Sequence, residues 1–145
     1  MSNTENKYTA KVAYTSKPIS FDMKMKLKTI TGAIPLSEAI DNAMNTLIIT
    51  PDFYAVVEVH NPKVKDRETG QRSEKDYEIY VIVDKSGEMY TTSSQSFIES
   101  LSDLIEEWSD AQADGEIPED KELELKCFKV QSQNNSGKFI TCTIA

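Results

Sequence analysis

From Ile19 to Leu27, apolar and polar residues alternate without a break. Ile19, Phe21, Met23, Met25 and Leu27 fall on one side, and Ser20, Asp22, Lys24, Lys26 and then Lys28 on the other. A period of two is that of a half-buried strand, so the stretch predicts the first main strand. Phe53 to Val59 predicts the second, with Tyr54, Val56 and Glu58 opposite the main apolar set. Tyr77 to Val83 predicts the third, turning at Asp84–Gly87 into a short hairpin strand over Glu88–Ser93. Ser96 and Glu99 have the spacing of a capping box. Behind them Phe97, Leu101, Leu104, Ile105 and Trp108 recur at helical spacing, predicting a helix to about Ala111. Leu123–Val130 and Phe139–Ile144 read as the last two strands, across a turn at Asn134–Gly137. A short helix from Ile34 to about Met44 and a brief apolar run, Leu47–Ile49, separate the first two main strands. Residues 61–76 hold almost no apolar residue and predict a long polar loop. Residues 1–17 are polar without a strong period, a flexible N-terminal arm ahead of one domain spanning 18–145.

A mostly β chain with one amphipathic helix between its third and fourth main strands has the element order of an OB-fold, a five-stranded barrel whose open end the helix plugs. Other folds of strands with a single helix share that order. OB barrels bind oligonucleotides or oligosaccharides across strands 2 and 3 and the nearby loops. The residues suited to this are cations that follow phosphates and flat rings that stack bases of any identity. Lys24, Lys26 and Lys28 form one row on the predicted first strand, about 7 Å from each to the next. The polar loop adds Lys63, Lys65, Arg67, Arg72 and Lys75, interleaved with acids. Tyr54 and Tyr80 are expected to face outward, joined by Tyr90. In the arm, Tyr8, Val12 and Tyr14 are wasteful in a free tail and suit docking on a neighbouring subunit.

Charge complicates that picture. The formal net charge is −8, yet residues 99–124 carry eleven acids and one base, while the rest of the chain is net +2. A uniformly acidic protein would repel a polyanion. An acidic helix turned away from a basic track need not, because charges are screened over about 8 Å at physiological salt. The same acidic segment also suits a rival reading: a DNA mimic, or an interaction module, that binds a protein.

Composition removes several alternatives. One histidine, His60, rules out a zinc site with two histidines, and Cys127 and Cys142 are not spaced as a metal-binding pair. No apolar run approaches the ~18–20 residues of a membrane span, and the first residues lack the apolar stretch of a signal peptide, so a cytoplasmic chain with reduced thiols is expected. Glu124-x-Lys126 and Glu119-x-Lys121 have the form of a nuclease triplet, but such triplets arise by chance in a chain with 28% charged residues. No catalytic residue, cofactor or metal is expected.

The segment from Gly87 to Ile98, GEMYTTSSQSFI, with ISFDMKMKLKTITG ahead of it, resembles the small single-stranded-DNA-binding proteins encoded by phages and conjugative plasmids of Gram-positive bacteria. The likeness covers most of residues 18–145. It implies an OB-fold, sequence-independent binding of single-stranded DNA, and a role in plasmid conjugation or replication. The chain departs from bacterial single-strand binders at its end. FITCTIA reads as a strand where those proteins carry a disordered acidic tail.

Overall fold

Two sheets and three helices make up the computed structural model, which describes residues 9–29, 33–65, 72–131 and 137–145, with side chains at all of these except 61–65 and 72–76. The longest strands, β4 (Pro51–Lys65) and β5 (Arg72–Asp84), form an antiparallel hairpin. With β1 (Thr9–Thr15), β6 (Met89–Thr92) and β2 (Ile34–Pro35) they make a five-stranded sheet in the order β1-β4-β5-β6-β2. A second sheet joins β3 (Leu47–Ile49), β7 (Leu125–Gln131) and β8 (Lys138–Ile144) in that order, all antiparallel. Only Thr50 separates β3 from β4, so residues 47–65 run as one bent strand that belongs to both sheets. The path β6-β5-β4/β3-β7-β8 curls round but does not close: among the described residues, β6 and β8 do not pair.

Three sequence expectations change here. Residues 21–29 are helix α1 (Phe21–Thr29), not a strand. The alternation misleads because Met, Lys and Leu are unbranched helix formers, and no residue from 21 to 28 is β-branched. Ser20 caps the helix, its Oγ accepting from Met23 N–H at 3.2 Å, while Asp22 in the first turn and Lys26 and Lys28 in the last complement the helix dipole. Met23 and Leu27, four apart, make the inward face, and Leu27 is fully buried. The expected flexible arm is, from Thr9 on, the edge strand β1. It pairs with β4 from Thr9↔His60 to Thr15↔Ala55, and Ala10 and Val12 pack into the chain's own core. The expected loop over 61–76 is largely strand. β4 continues to Lys65 and β5 starts at Arg72, in the register Asn61↔Lys75 and Lys65↔Arg72. Backbone pairing builds this ribbon without an apolar pattern to announce it.

The two predicted helices are both present, and α1 makes a third. α2 (Leu36–Asn42) buries Leu36, Ala39 and Ile40, and α3 (Gln95–Ala113) buries Phe97, Ile98 and Leu101. Its cap is Ser94, two residues before the predicted one, with Ser94 Oγ accepting from Phe97 N–H at 3.2 Å. It ends in a Schellman motif: Gly115 at φ 79° donates to Gln112 O and Glu116 to Ala111 O.

The hairpin is buried on both faces. On one side α1 covers Phe53, Ala55, Val57, Val81 and Val83 with Leu27. On the other, Tyr54, Tyr80 and Ile82 face the second sheet's Ile49, Leu125, Cys127 and Cys142, with α3 filling the end between the sheets.

Candidate nucleic-acid interface

The placement of α1 and α3 segregates charge. Lys24, Lys26 and Lys28 are exposed on α1, outside the hairpin, whereas α3 packs against the opposite face of the same strands. A layer of sheet lies between them, so the acids of α3 are more than a screening length from the lysines. α3 turns Glu99, Asp103, Glu106 and Asp110 to solvent along one stripe, and among the described residues none of the ion pairs involves them.

The predicted site residues do not converge. Helical rather than extended geometry breaks the lysine row: Lys24 and Lys28 share a side, and Lys26 lies about 160° from Lys28. Tyr54 and Tyr80 do not face outward; they are 8% and 9% exposed, within the core beneath α3. The Tyr54 hydroxyl donates to Ser102 Oγ at 3.2 Å, and burial first of all raises the Tyr80 pKa. Tyr90 is half-buried on the same interior side. None of the three rings offers a base an open face. Lys63, Lys65 and Arg72 lie on the ribbon, by backbone register only. Arg67 and Tyr8 fall outside the described residues. Val12 is spent on the protein's own core, so of the three proposed docking groups only Tyr14 is seen at the surface. Its ring centroid is 5.8 Å from that of Tyr54, and a hydrogen bond with Tyr54 chiefly raises its pKa.

Phe139 and Phe21 are exposed rings elsewhere, and Phe128 is half-buried. Phe139 on β8 is 48% exposed, with Lys138 before it. Phe128 on β7 has Lys126 Nζ 5.6 Å from its ring centre. Cross-strand register puts Phe128 opposite Thr141 and Val130 opposite Phe139, so both rings fall on the outer face of the second sheet. Phe21 on α1 is 73% exposed. Phe21 falls on the predicted apolar side and Phe128 and Phe139 fall within predicted strands, so only the fold shows which of these rings meets solvent.

Between the β2–β6 side of the first sheet and β8, the last strand of the second, lies a groove of about 530 Å³. Ile79, Pro35 and Ile140 give it apolar wall, Thr91, Thr92, Ser93, Ser94 and Ser37 give hydroxyls, and Phe139 and Lys138 form one rim. Among the described residues, no carboxylate lines it. A groove of about 600 Å³ near His60 is lined by Glu58 and Glu78 beside Lys11, and its two glutamates oppose a polyanion. The hydroxyl-lined groove is therefore the better candidate for a phosphate backbone: among the described residues its charged lining is Lys138, its hydroxyls can donate to phosphate oxygens, and its ring can stack a base. Among the described residues, no group of three His, Cys, Asp or Glu side chains is placed to hold a metal, and no helix is long and apolar enough to cross a membrane. No protein-family model, curated protein or solved structure matches this chain.

Proposed function

We propose that the protein is a non-catalytic, sequence-independent binder of single-stranded DNA, working in plasmid conjugation or replication, and that its two sheets are an open OB-type barrel. The bent strand 47–65 serves as that barrel's first strand, β5 and β6 as its second and third, α3 as its plug, and β7 and β8 as its last two. The observation that carries the reading is the groove between β6 and β8, lined by no carboxylate among the described residues and rimmed by Lys138 and Phe139, in a chain of net charge −8. It lies against the outer face of the second and third barrel strands, where OB barrels take oligonucleotides. A base stacks on Phe139, and the adjoining phosphates meet Lys138 and the threonine and serine hydroxyls.

Fluorescence anisotropy with matched single- and double-stranded oligonucleotides across a salt series tests this. Single strands should bind more tightly, with a log–log salt slope of about −0.7 per phosphate contacted. Phe139→Ala should cost ~1–3 kcal/mol for any base composition. Unchanged affinity in both Phe139→Ala and Lys138→Glu would remove the groove from the interface. A second reading rests on the solvated acidic stripe of α3, which suits a basic protein partner as a DNA mimic would. It predicts that neutralising Glu99, Asp103, Glu106 and Asp110 abolishes function while nucleic acid never binds.

A further inference from the structure

Helix α1 is built inside out at its surface. One of its exposed side chains is aromatic, and that ring lies on one stripe with two lysines: Phe21, Lys24 and Lys28 fall within about 60° of helix circumference, with half-buried Met25 beside them. Solvated helix faces rarely spend a phenylalanine at 73% exposure. The nearby acids do not cancel the lysines. Asp22 sits about 100° round from Phe21, and Asp52 is engaged by Lys17, whose Nζ also lies 5.6 Å from the Phe53 ring centre.

Ile79 of the groove wall packs against the cluster that contains Leu27, and Pro35, on the other wall, follows the end of α1 by six residues, a link of at most about 20 Å. From Phe21 to Lys28 the stripe runs about 10 Å, and Lys24 and Lys28 are separated by about 6 Å of rise, close to the spacing of successive phosphates in an extended strand.

We infer that α1 is a second contact on the path of the same nucleic-acid strand. Leaving the groove, the strand crosses α1, a base rests on Phe21, and its phosphates pass Lys24 and Lys28. Lys26 takes no part. This rests on the groove being a single-strand site and adds to it a length requirement: an oligonucleotide too short to reach α1 loses these contacts.

The test compares oligothymidylates of about four and about twelve nucleotides, lengths within the span covered by single OB barrels. The full chain, Phe21→Ala, Lys24→Glu/Lys28→Glu and Lys26→Glu are titrated with each. Phe21 and the lysines are exposed, and a thermal melt confirms that each variant keeps the wild-type midpoint. The wild type should bind the longer strand more tightly. Phe21→Ala should weaken that complex roughly tenfold and leave the shorter one unchanged. Lys24→Glu/Lys28→Glu should also remove the length-dependent gain and lower the salt slope on the longer strand by about 1.4. Lys26→Glu should behave as wild type. Equal losses on both lengths, no loss on either, or the same loss from Lys26→Glu would overturn the inference while leaving the groove intact. A wild-type chain that binds neither length would overturn the groove reading, and this inference with it.

Discussion

Replacing Leu27 by alanine should free α1 without unfolding the rest. The helix has nine residues, too few to persist alone in water, so its docking is what keeps it folded. Leu27 is its one fully buried side chain, set against Phe53, Val57 and Val81, with Met23 only half-buried beside it. Leu27→Ala removes three carbons from a packed site, a change that costs about 3 kcal/mol in comparable cores. That shifts the equilibrium between docked and open α1 by about two orders of magnitude. The core between the sheets, with Phe97, Leu101, Ile82 and Leu125, does not touch Leu27 and should hold. Hydrogen exchange read by mass spectrometry checks this: amides in 21–29 should exchange about a hundred times faster, whereas those in 79–84 keep their protection. Unchanged exchange in 21–29 would show that α1 is held by something other than Leu27. Exchange accelerating equally across the chain would show that α1 and the two sheets unfold as one unit. Either outcome refutes the argument.

Asp84 links the β5–β6 turn to the junction between the sheets, its carboxylate accepting from Thr50 N–H and from Ser86 N–H at 2.9 Å. Burial pushes its pKa up, but hydrogen bonds from the Ser86 hydroxyl and these two amides outweigh that and hold the carboxyl below its ordinary value. The stability it supplies is therefore full above the unfolded-state carboxylate pKa and is lost as pH falls through the lower native value, and Asp84→Asn should flatten that part of a denaturation-versus-pH curve. Burial pushes the Cys127 thiol to about 12 and the Cys142 thiol to about 11, so both should resist a thiol-specific dye at neutral pH until denaturant is added; prompt labelling of the folded chain would contradict their burial. Asn45 pairs both ends of its amide with the backbone of Lys129, accepting at 2.9 Å and donating at 3.3 Å, and Asn45→Ala should cost about 1–2 kcal/mol in chemical denaturation, a loss that an unchanged midpoint would rule out.

The sequence made some parts of this fold readable and hid others for identifiable reasons. β4, β5 and α3 were plain because β-branched runs and a helical stripe are strong signals. Tyr54 and Tyr80 looked solvent-facing because they alternate with the main apolar set, yet Val56 and Ile82 share their side of the sheet. An apolar residue on each face of a strand marks burial from both sides, which outweighed the alternation. In 21–28 the period was right for a strand while the Met, Lys and Leu of 23–28 favoured a helix, and Ser20 was there to start one. The exposed Phe21 and Phe139 could not be told from core rings without knowing which surfaces α1, α3 and the opposite sheet cover. The charge asymmetry was legible, and it survives as a separation across the sheet.

The shared strand has a consequence for how the chain assembles. β4 and β5 are neighbours in sequence, so their antiparallel pairing can form early. β3 must find β7, Leu47 opposite Cys127, across most of the remaining chain, and the entropy of closing so long a loop defers that step. The inner wall of the hairpin should thus stay uncovered until α3 and the second sheet arrive. Pulse-labelled amide protection appearing in 53–60 before 125–130 would record that sequence of events.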